Sequence, residues 1–343
     1  MILYKRRFWL LLILLLMILS KSFGQDPHFS QFYANPIYLN PAFSGTGICP
    51  RFSINFRDQW PSIPRNFLSF SGSYDQHIPE IHGGVGLLFS GDIAGAGFSQ
   101  TYNAGFIYNF RTEVARQFYL QFALQGNFLH TSINGDKWIF ASNIVNSNAP
   151  ADFPEDKIKH FSKSQFDGSF GFVGYTPYLY FGLAIHHLIP LQVNYFRNMN
   201  KKLEKVWEPK WSAHIGGKIT LRKKIKSEVN FGDIYLHPNI LFISQGKFHY
   251  LHEGLYFNFY PLTIGAWLRH NFQNFDAFIV SCGVEYKFLR IGYSYDFPLT
   301  KLERTGGAHE ISLQFTIPCD VDKMGKTTKK KRSKFYSVPC PNF

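Results

Sequence analysis

An all-β fold, a transmembrane antiparallel barrel of about fourteen strands, is what this 343-residue sequence predicts, and three observations predict it. First, apolar and small polar residues alternate in segment after segment: Phe52, Ile54 and Phe56 fall on one strand face, and Ser53, Asn55 and Arg57 on the other. Second, with 37 Phe and 19 Tyr the dry face is far more aromatic than a soluble sandwich needs. Third, the segments run about ten residues between turn signals, and no long apolar stretch occurs beyond the leader, so only alternate residues would meet lipid.

The elements are justified in chain order. Residues 1–24 read as a cleaved secretory leader: Lys5, Arg6 and Arg7 precede an apolar run from Phe8 to Leu19 and the small-residue site Ser22-Phe23-Gly24. That run is shorter than the ~20 residues of a spanning helix. With no Cys after it, a lipoprotein leader is not expected. Residues 25–50 form an N-terminal segment with two Asn-Pro steps, a composition suited neither to a helix nor to a ladder strand. Its aromatics are costly to leave in water. The expectation is therefore a plug in the periplasmic mouth or lower lumen, built on Phe29, Phe32, Tyr33, Asn35, Pro36, Asn40 and Pro41, with Asn35 and Asn40 capping turns. The alternative is an ordered strap that contacts another protein.

Residues 51–318 read as the barrel, with strands near 51–60, 66–76, 82–91, 98–110, 116–130, 165–175, 178–188, 210–221, 229–245, 252–260, 262–271, 275–287, 289–297 and 308–317. Pro238 interrupts the ninth, which is kept as one strand with a bulge at the proline. An even count puts both termini on one side, taken as periplasmic, and sends the long joins 131–164 and 189–209 to the other. Residues 319–343 form a basic tail.

The net charge of +13 is distributed unevenly. The leader carries four basic residues and no acidic one, the tail beyond Cys319 seven and two, which leaves about +4 for the rest. No basic stripe suited to nucleic acid remains. In an exported chain the run Lys329, Lys330, Lys331 and Arg332 is a solvated tail rather than a nuclear signal. Its apolar ending, Phe335, Tyr336 and Phe343, makes it a candidate docking segment, against the alternative of an inert tail.

Strand parity turns Arg57, Asp75, Asp167, Arg269, Glu285, Arg290, Asp296 and Glu310 inward. This set is mixed in sign, whereas a selective pore favours one sign. Ion pairs in a partly filled lumen are expected, with Arg57, Asp75, Arg290, Asp296 and Glu310 as candidates; Arg57 and Glu310 face each other if the first and last strands pair. A solute or peptide path is the alternative. His186-His187 and His309-Glu310 are poor metal sites, because adjacent strand residues point to opposite faces. No phosphate loop, nucleophile elbow or zinc helix motif occurs, so neither enzyme activity nor a cofactor is expected. Cys49 and Cys319 flank the first and last strands and are candidates to staple the seam in an oxidising compartment, with Cys340 able to replace either. Cys282 falls on the lipid face.

The run from Gln25 through Tyr33 (QDPHFSQFY) and the run from Asn35 through Gly45 (NPIYLNPAFSG) carry a family resemblance. So do Phe56-Arg57-Asp58-Gln59-Trp60-Pro61, Ser73-Tyr74-Asp75, Gly292-Tyr293-Ser294-Tyr295-Asp296 and the run from Gly306 to Leu313. On these motifs, in this order, the chain resembles the PorP/SprF family of type IX secretion membrane proteins. The resemblance implies a barrel in a bacterial outer membrane that supports secretion or surface attachment of large adhesins and, in some members, gliding. The partners it implies are outer-membrane lipid, adhesin-like cargo and other secretion components. The rival readings are a fatty-acid-transporter-like channel for hydrophobic or small solutes, and a soluble secreted sandwich.

Overall fold

The computed structural model describes residues 26–47, 49–64, 66–95, 99–134, 160–189, 191–193, 205–222, 234–300 and 302–319. The leader and the tail beyond Cys319 lie outside them. The strands are β1 (Arg51–Gln59), β2 (Phe67–Ile78), β3 (Gly83–Ala94), β4 (Ser99–Ala115), β5 (Phe118–Asn134), β6 (His160–Tyr175), β7 (Leu179–His186), β8 (Leu191–Val193), β9 (Lys205–Trp207), β10 (Lys210–Gly217) and β11 (Ile219–Arg222). They continue with β12 (Ile234–Gln245), β13 (Phe248–Phe259), β14 (Leu262–His270), β15 (Phe275–Tyr286), β16 (Leu289–Pro298) and β17 (Ala308–Thr316).

Strands β1 to β7 pair in sequence order, as do β12 to β17, all antiparallel. The ring closes twice. β1 pairs with β17, Arg51 opposite Thr316 through Gln59 opposite Ala308. β10 pairs with both β7 and β12. Since β11 continues the line of β10 after Lys218 and shares β12 as neighbour, the wall is a closed antiparallel barrel of fourteen staves. The short strands β8 and β9 pair with each other outside the ring.

Alternation sets the inside. Phe52, Ile54 and Phe56 are 44, 58 and 44% exposed, while Ser53, Asn55 and Arg57 between them are 2, 1 and 1% exposed. Polar residues are the buried ones, the reverse of a soluble core and the pattern of a wall that meets lipid. Among the described residues no helix is long and apolar enough to cross a membrane. Cys282 lies on the outer face as a free thiol.

Pro238 produces no bulge, contrary to expectation: β12 and β13 keep one register from Ile234 opposite Phe259 to Gln245 opposite Phe248. The missing N–H is felt on the other neighbour. The register that sets Gly216 opposite Asn239 and Ile219 opposite Leu236 brings Pro238 against Gly217, where β10 ends and β11 has not begun. Lys218 N–H turns instead to Tyr178 O at 2.7 Å.

The barrel has two distinguishable rims. At one, the cystine rim, lie the starts of β1 and the end of β17, and the joins β2–β3, β4–β5, β6–β7, β13–β14 and β15–β16 are short. At the other, the loop rim, leave the two longest joins, after β5 and after β7. There β6 pairs with β5 over its whole length but with β7 only over Phe170–Tyr175, so β6 stands above β7, while β4 follows β5 up to Ser99 opposite Ile133.

Candidate functional site

The polar lumen receives the N-terminal segment, and local chemistry explains its shape. Each proline of the two Asn-Pro steps opens a tight turn: Pro36–Leu39 is one α-helical turn and Pro41–Phe43 a 3-10 turn. Asn40 caps the second, its Oδ1 accepting from Ala42 N–H at 2.9 Å. Asn35, expected to cap as well, makes no side-chain cap bond. Asn40 Nδ2 donates to the wall carbonyls of Phe172 and Leu183, both at 3.1 Å. That approach requires Gly171, where a Cβ would lie 2.2 Å from Asn40 Oδ1. Gly45 adopts φ +64° and sits so close to the wall that a Cβ would fall 2.8 Å from Gly84 Cα.

All seven residues singled out in this segment, Phe29, Phe32, Tyr33, Asn35, Pro36, Asn40 and Pro41, are buried. Phe32 packs edge-on against Trp267 at 4.9 Å, Tyr33 lies 5.6 Å from the same ring, and Phe43 stacks on His214 at 5.0 Å. Asn109 Nδ2 donates to Ala42 O and Ser44 O. With partners on β4, β6, β7, β10 and β14, the segment lies within the ring. It does not stop at one mouth, as expected, but runs the length of the lumen. Gly45 N–H binds Asp75 near the cystine rim, whereas Asp26 reaches the loop rim. Asp26 and Cys319 thus lie at opposite rims, and the termini themselves lie outside the described residues.

Near the loop end of the seam, charges converge on Ser30. Arg57, 1% exposed, donates to Asp296 Oδ2 at 2.9 Å, Glu310 Oε2 at 3.3 Å and Ser30 Oγ at 2.7 Å. Glu310 accepts the N–H groups of Ser30 at 2.7 Å and Gln31 at 3.0 Å. Arg269 pairs with Asp296 at 3.0 Å and with Asp276. Two cations therefore face three carboxylates, of which Asp296 and Glu310 are buried and Asp276 is part-exposed, and a buried charge that loses its partner is costly. Asp75 pairs instead with Arg51 at 2.8 Å, and Arg290 with Glu285 at 3.1 Å. Arg51 shares the parity of Arg57, and that was the signal available for it.

A second cluster holds the first described residue. Asp26 Oδ1 accepts Trp207 Nε1–H at 2.8 Å, and its Oδ2 contacts Lys210 Nζ at 3.0 Å and His187 Nε2 at 2.9 Å. His187 Nδ1 lies 2.7 Å from Asp167 Oδ2, so both ring nitrogens donate only in the charged form. Burial alone would raise the Asp26 carboxyl, but His187 and Lys210 hold it well below the usual carboxylate range. Burial opposes the imidazolium, yet Asp26 and Asp167 push His187 up to about 9. The strand-parity argument failed at this residue. β7 ends at His186, and His187 takes φ 60°, which turns both rings inward. His186 contacts Ser169 Oγ and Leu39 O, and no group of three or more metal-ligating side chains forms among the described residues. His309 faces outward and bonds Tyr293 OH, on the opposite face from Glu310.

Cys49 and Cys319 are disulfide-bonded, with Cα atoms 5.5 Å apart, at the cystine end of the same seam. The tail residues Lys329, Lys330, Lys331, Arg332, Phe335, Tyr336 and Phe343 lie outside the described residues.

Among solved structures, the chain is similar to the Ralstonia pickettii toluene transporter TbuX, at 9% identity and TM-score 0.44 over 87% of this chain and 95% of that one. It is similar to the CymD monoaromatic hydrocarbon channel at 10% identity and TM-score 0.46, over 85 and 94%. For a Pseudomonas aeruginosa FadL homologue the values are 9% and 0.40, over 78 and 89%. Likenesses this distant say nothing of the ligand. No curated protein sequence matches. The family model described as type IX secretion system membrane protein PorP/SprF matches residues 21–315, nearly the whole barrel and the segment inside it, and the chain belongs to that family of outer-membrane barrels.

Proposed function

We propose that this barrel supports type IX secretion by holding or passing on an exported surface protein, and that it works by binding rather than catalysis. The observation that carries this reading is the occupied lumen. A segment bonded to the inner wall from rim to rim leaves the rims, rather than a continuous polar path, as working surfaces. On this reading the loop rim faces the medium and takes adhesin-like cargo, in support of attachment or gliding. The cystine rim faces the periplasm, where the basic tail docks through Lys329 to Arg332 and the apolar ending Phe335, Tyr336 and Phe343 onto other secretion components. The outer wall meets outer-membrane lipid.

Deleting residues 326–343 is expected to leave a heat-modifiable barrel in the outer membrane while surface display of the adhesin falls. Normal display by that strain would defeat the docking role of the tail. Steady conductance by the purified intact protein, or uptake of fatty acids, would replace the whole reading with that of a channel.

A further inference from the structure

Every main-chain N–H and C=O of a strand needs a partner, and along β6 the partners on one side run out. Just past its lower end, Thr176 N–H reaches Leu179 O at 2.7 Å, and higher up Gly168 O accepts Leu188 N–H at 3.0 Å. Even-numbered residues thus face β7. By alternation the N–H and C=O groups of Phe166, Ser164 and Ser162 point to that same side, while those of Gln165 and Lys163 point to β5. Gly168 N–H is taken by Asp167 Oδ1 at 2.7 Å. Above that level β7 has ended at His186, and β8 pairs with β9 rather than with β6. Among the described residues nothing bonds the main chain of Phe166, Ser164 or Ser162 on this side.

The level of this edge keeps it clear of hydrocarbon. Going up the paired strands β5 and β6, the outward side chains change from Phe128 and Phe166 to His130 and Ser164, then to Ser132 and Ser162. The apolar band therefore ends at the two phenylalanines. Open strand edges are excluded from the hydrocarbon region, and this one starts where that region stops. Phe166 is 75% exposed, and Leu188 packs beside Gly168 on the same outer face, its Cδ1 3.8 Å from where a Cβ would stand. The foot of the edge is apolar and its upper part polar.

Such an edge is complementary to the main chain of another extended segment. The tail of this chain starts from Cys319 at the opposite rim, and its N-terminal segment is bonded inside the bore. A second copy in the same membrane would run its β6 in the same direction, which excludes the antiparallel pairing found throughout the wall. A partner reaching the loop rim from outside the barrel meets neither restriction. We propose that residues 162–166 of β6 are a strand-addition site for an extended segment of the exported surface protein, which pairs antiparallel above β7 and sets an apolar side chain beside Phe166. The proposal rests on the reading of the loop rim given above.

The test uses the full chain in cells and follows the adhesin whose surface display is lost when the gene for the whole barrel is deleted. If deletion affects no adhesin, the reading of the loop rim fails and the proposal with it. Ser164→Pro with Phe166→Pro removes two donors from the open side and leaves the ladder to β5 intact, because proline is tolerated on an open edge. Display is expected to fall about tenfold or more, with heat-modifiable mobility unchanged. Ser164→Ala with Phe166→Ala keeps both donors and should stay within about twofold of native display. Ser164→Pro alone replaces the double variant if that does not assemble. p-Benzoylphenylalanine in place of Ser162 should cross-link the same adhesin, whereas in place of Phe106, on the outer face of β4, it should not. Native display by the proline variant, an equal loss in the alanine variant, or adducts at 162 confined to this chain or to a second copy would overturn the edge proposal alone.

Discussion

Arg57→Met tests the charge arrangement at the seam. Arg57 is 1% exposed and Glu310 is fully buried, so solvent does not screen the pair as it would a surface bridge. In the native cluster Arg57 and Arg269 face Asp276, Asp296 and Glu310. The methionine variant leaves one cation against three carboxylates. Asp296 retains Arg269, but Glu310 is left with uncharged partners, the N–H groups of Ser30 and Gln31. Stranding a buried charge in this way costs about 3–5 kcal/mol. Glu310→Gln, in contrast, leaves two cations facing two carboxylates and still offers an oxygen to those N–H groups, for a cost of about 1–2 kcal/mol. The double variant should be more stable than Arg57→Met alone, a coupling that a mutant cycle isolates. Urea unfolding in detergent, followed by the loss of heat-modifiable mobility, measures all three. The reasoning fails if Arg57→Met proves no more damaging than Glu310→Gln, or if the two changes simply add.

Three further outcomes are expected. Reducing the Cys49–Cys319 bond, whose partners are 270 residues apart, should lower the unfolding temperature; the chain-entropy formula gives at most about 5–6 kcal/mol, and an unchanged temperature would show that the cross-link adds no net stability. His187 titrates near 9 when folded and near 6.5 when not, so its contribution, about 3 kcal/mol, is complete below pH ~6.5 and is lost as pH rises through 9. Hydrogen-exchange protection around residues 26–30, taken relative to the base-catalysed intrinsic rate, should therefore fall as pH rises toward 9, and His187→Gln should abolish that fall. Gly171→Ala would drive a methyl into Asn40 and cost about 1–3 kcal/mol, whereas Gly126→Ala, with open space around it, should be nearly neutral; equal thermal shifts would contradict the placement of Asn40 against the wall.

The barrel was legible because a period of two is a local signal, repeated in every strand. All fourteen expected strands have a counterpart, with shifts confined to their ends. The eighth is the exception, split internally at Lys218 opposite the proline strand of its neighbour. Parity also marked Arg57, Asp296 and Glu310 as inward, since a side chain's face follows from its position alone. What parity cannot give is convergence. The meeting of Asp26 with His187, Trp207, Lys210 and Gln245 joins positions 161 to 219 residues apart, through a left-handed backbone turn after β7 that no motif announces. The path of the N-terminal segment was misjudged for a related reason: its composition demanded burial but carried no measure of depth.

That path has a consequence for assembly. The cystine and the chain between its halves make a covalent loop, and the residues before Cys49 pass back up the bore of the cylinder that this loop forms. A cylinder already shut can admit such a strand only end-on, free end first, past a lining that binds it at every level. If the wall instead curls around a strand already lying there, Ser30 can bridge Arg57 on one edge and Glu310 on the other while the edges are still apart. The segment then acts as a mandrel: the last joint to form is shaped on it, and the cross-link at the opposite mouth fixes the circumference once the edges have met.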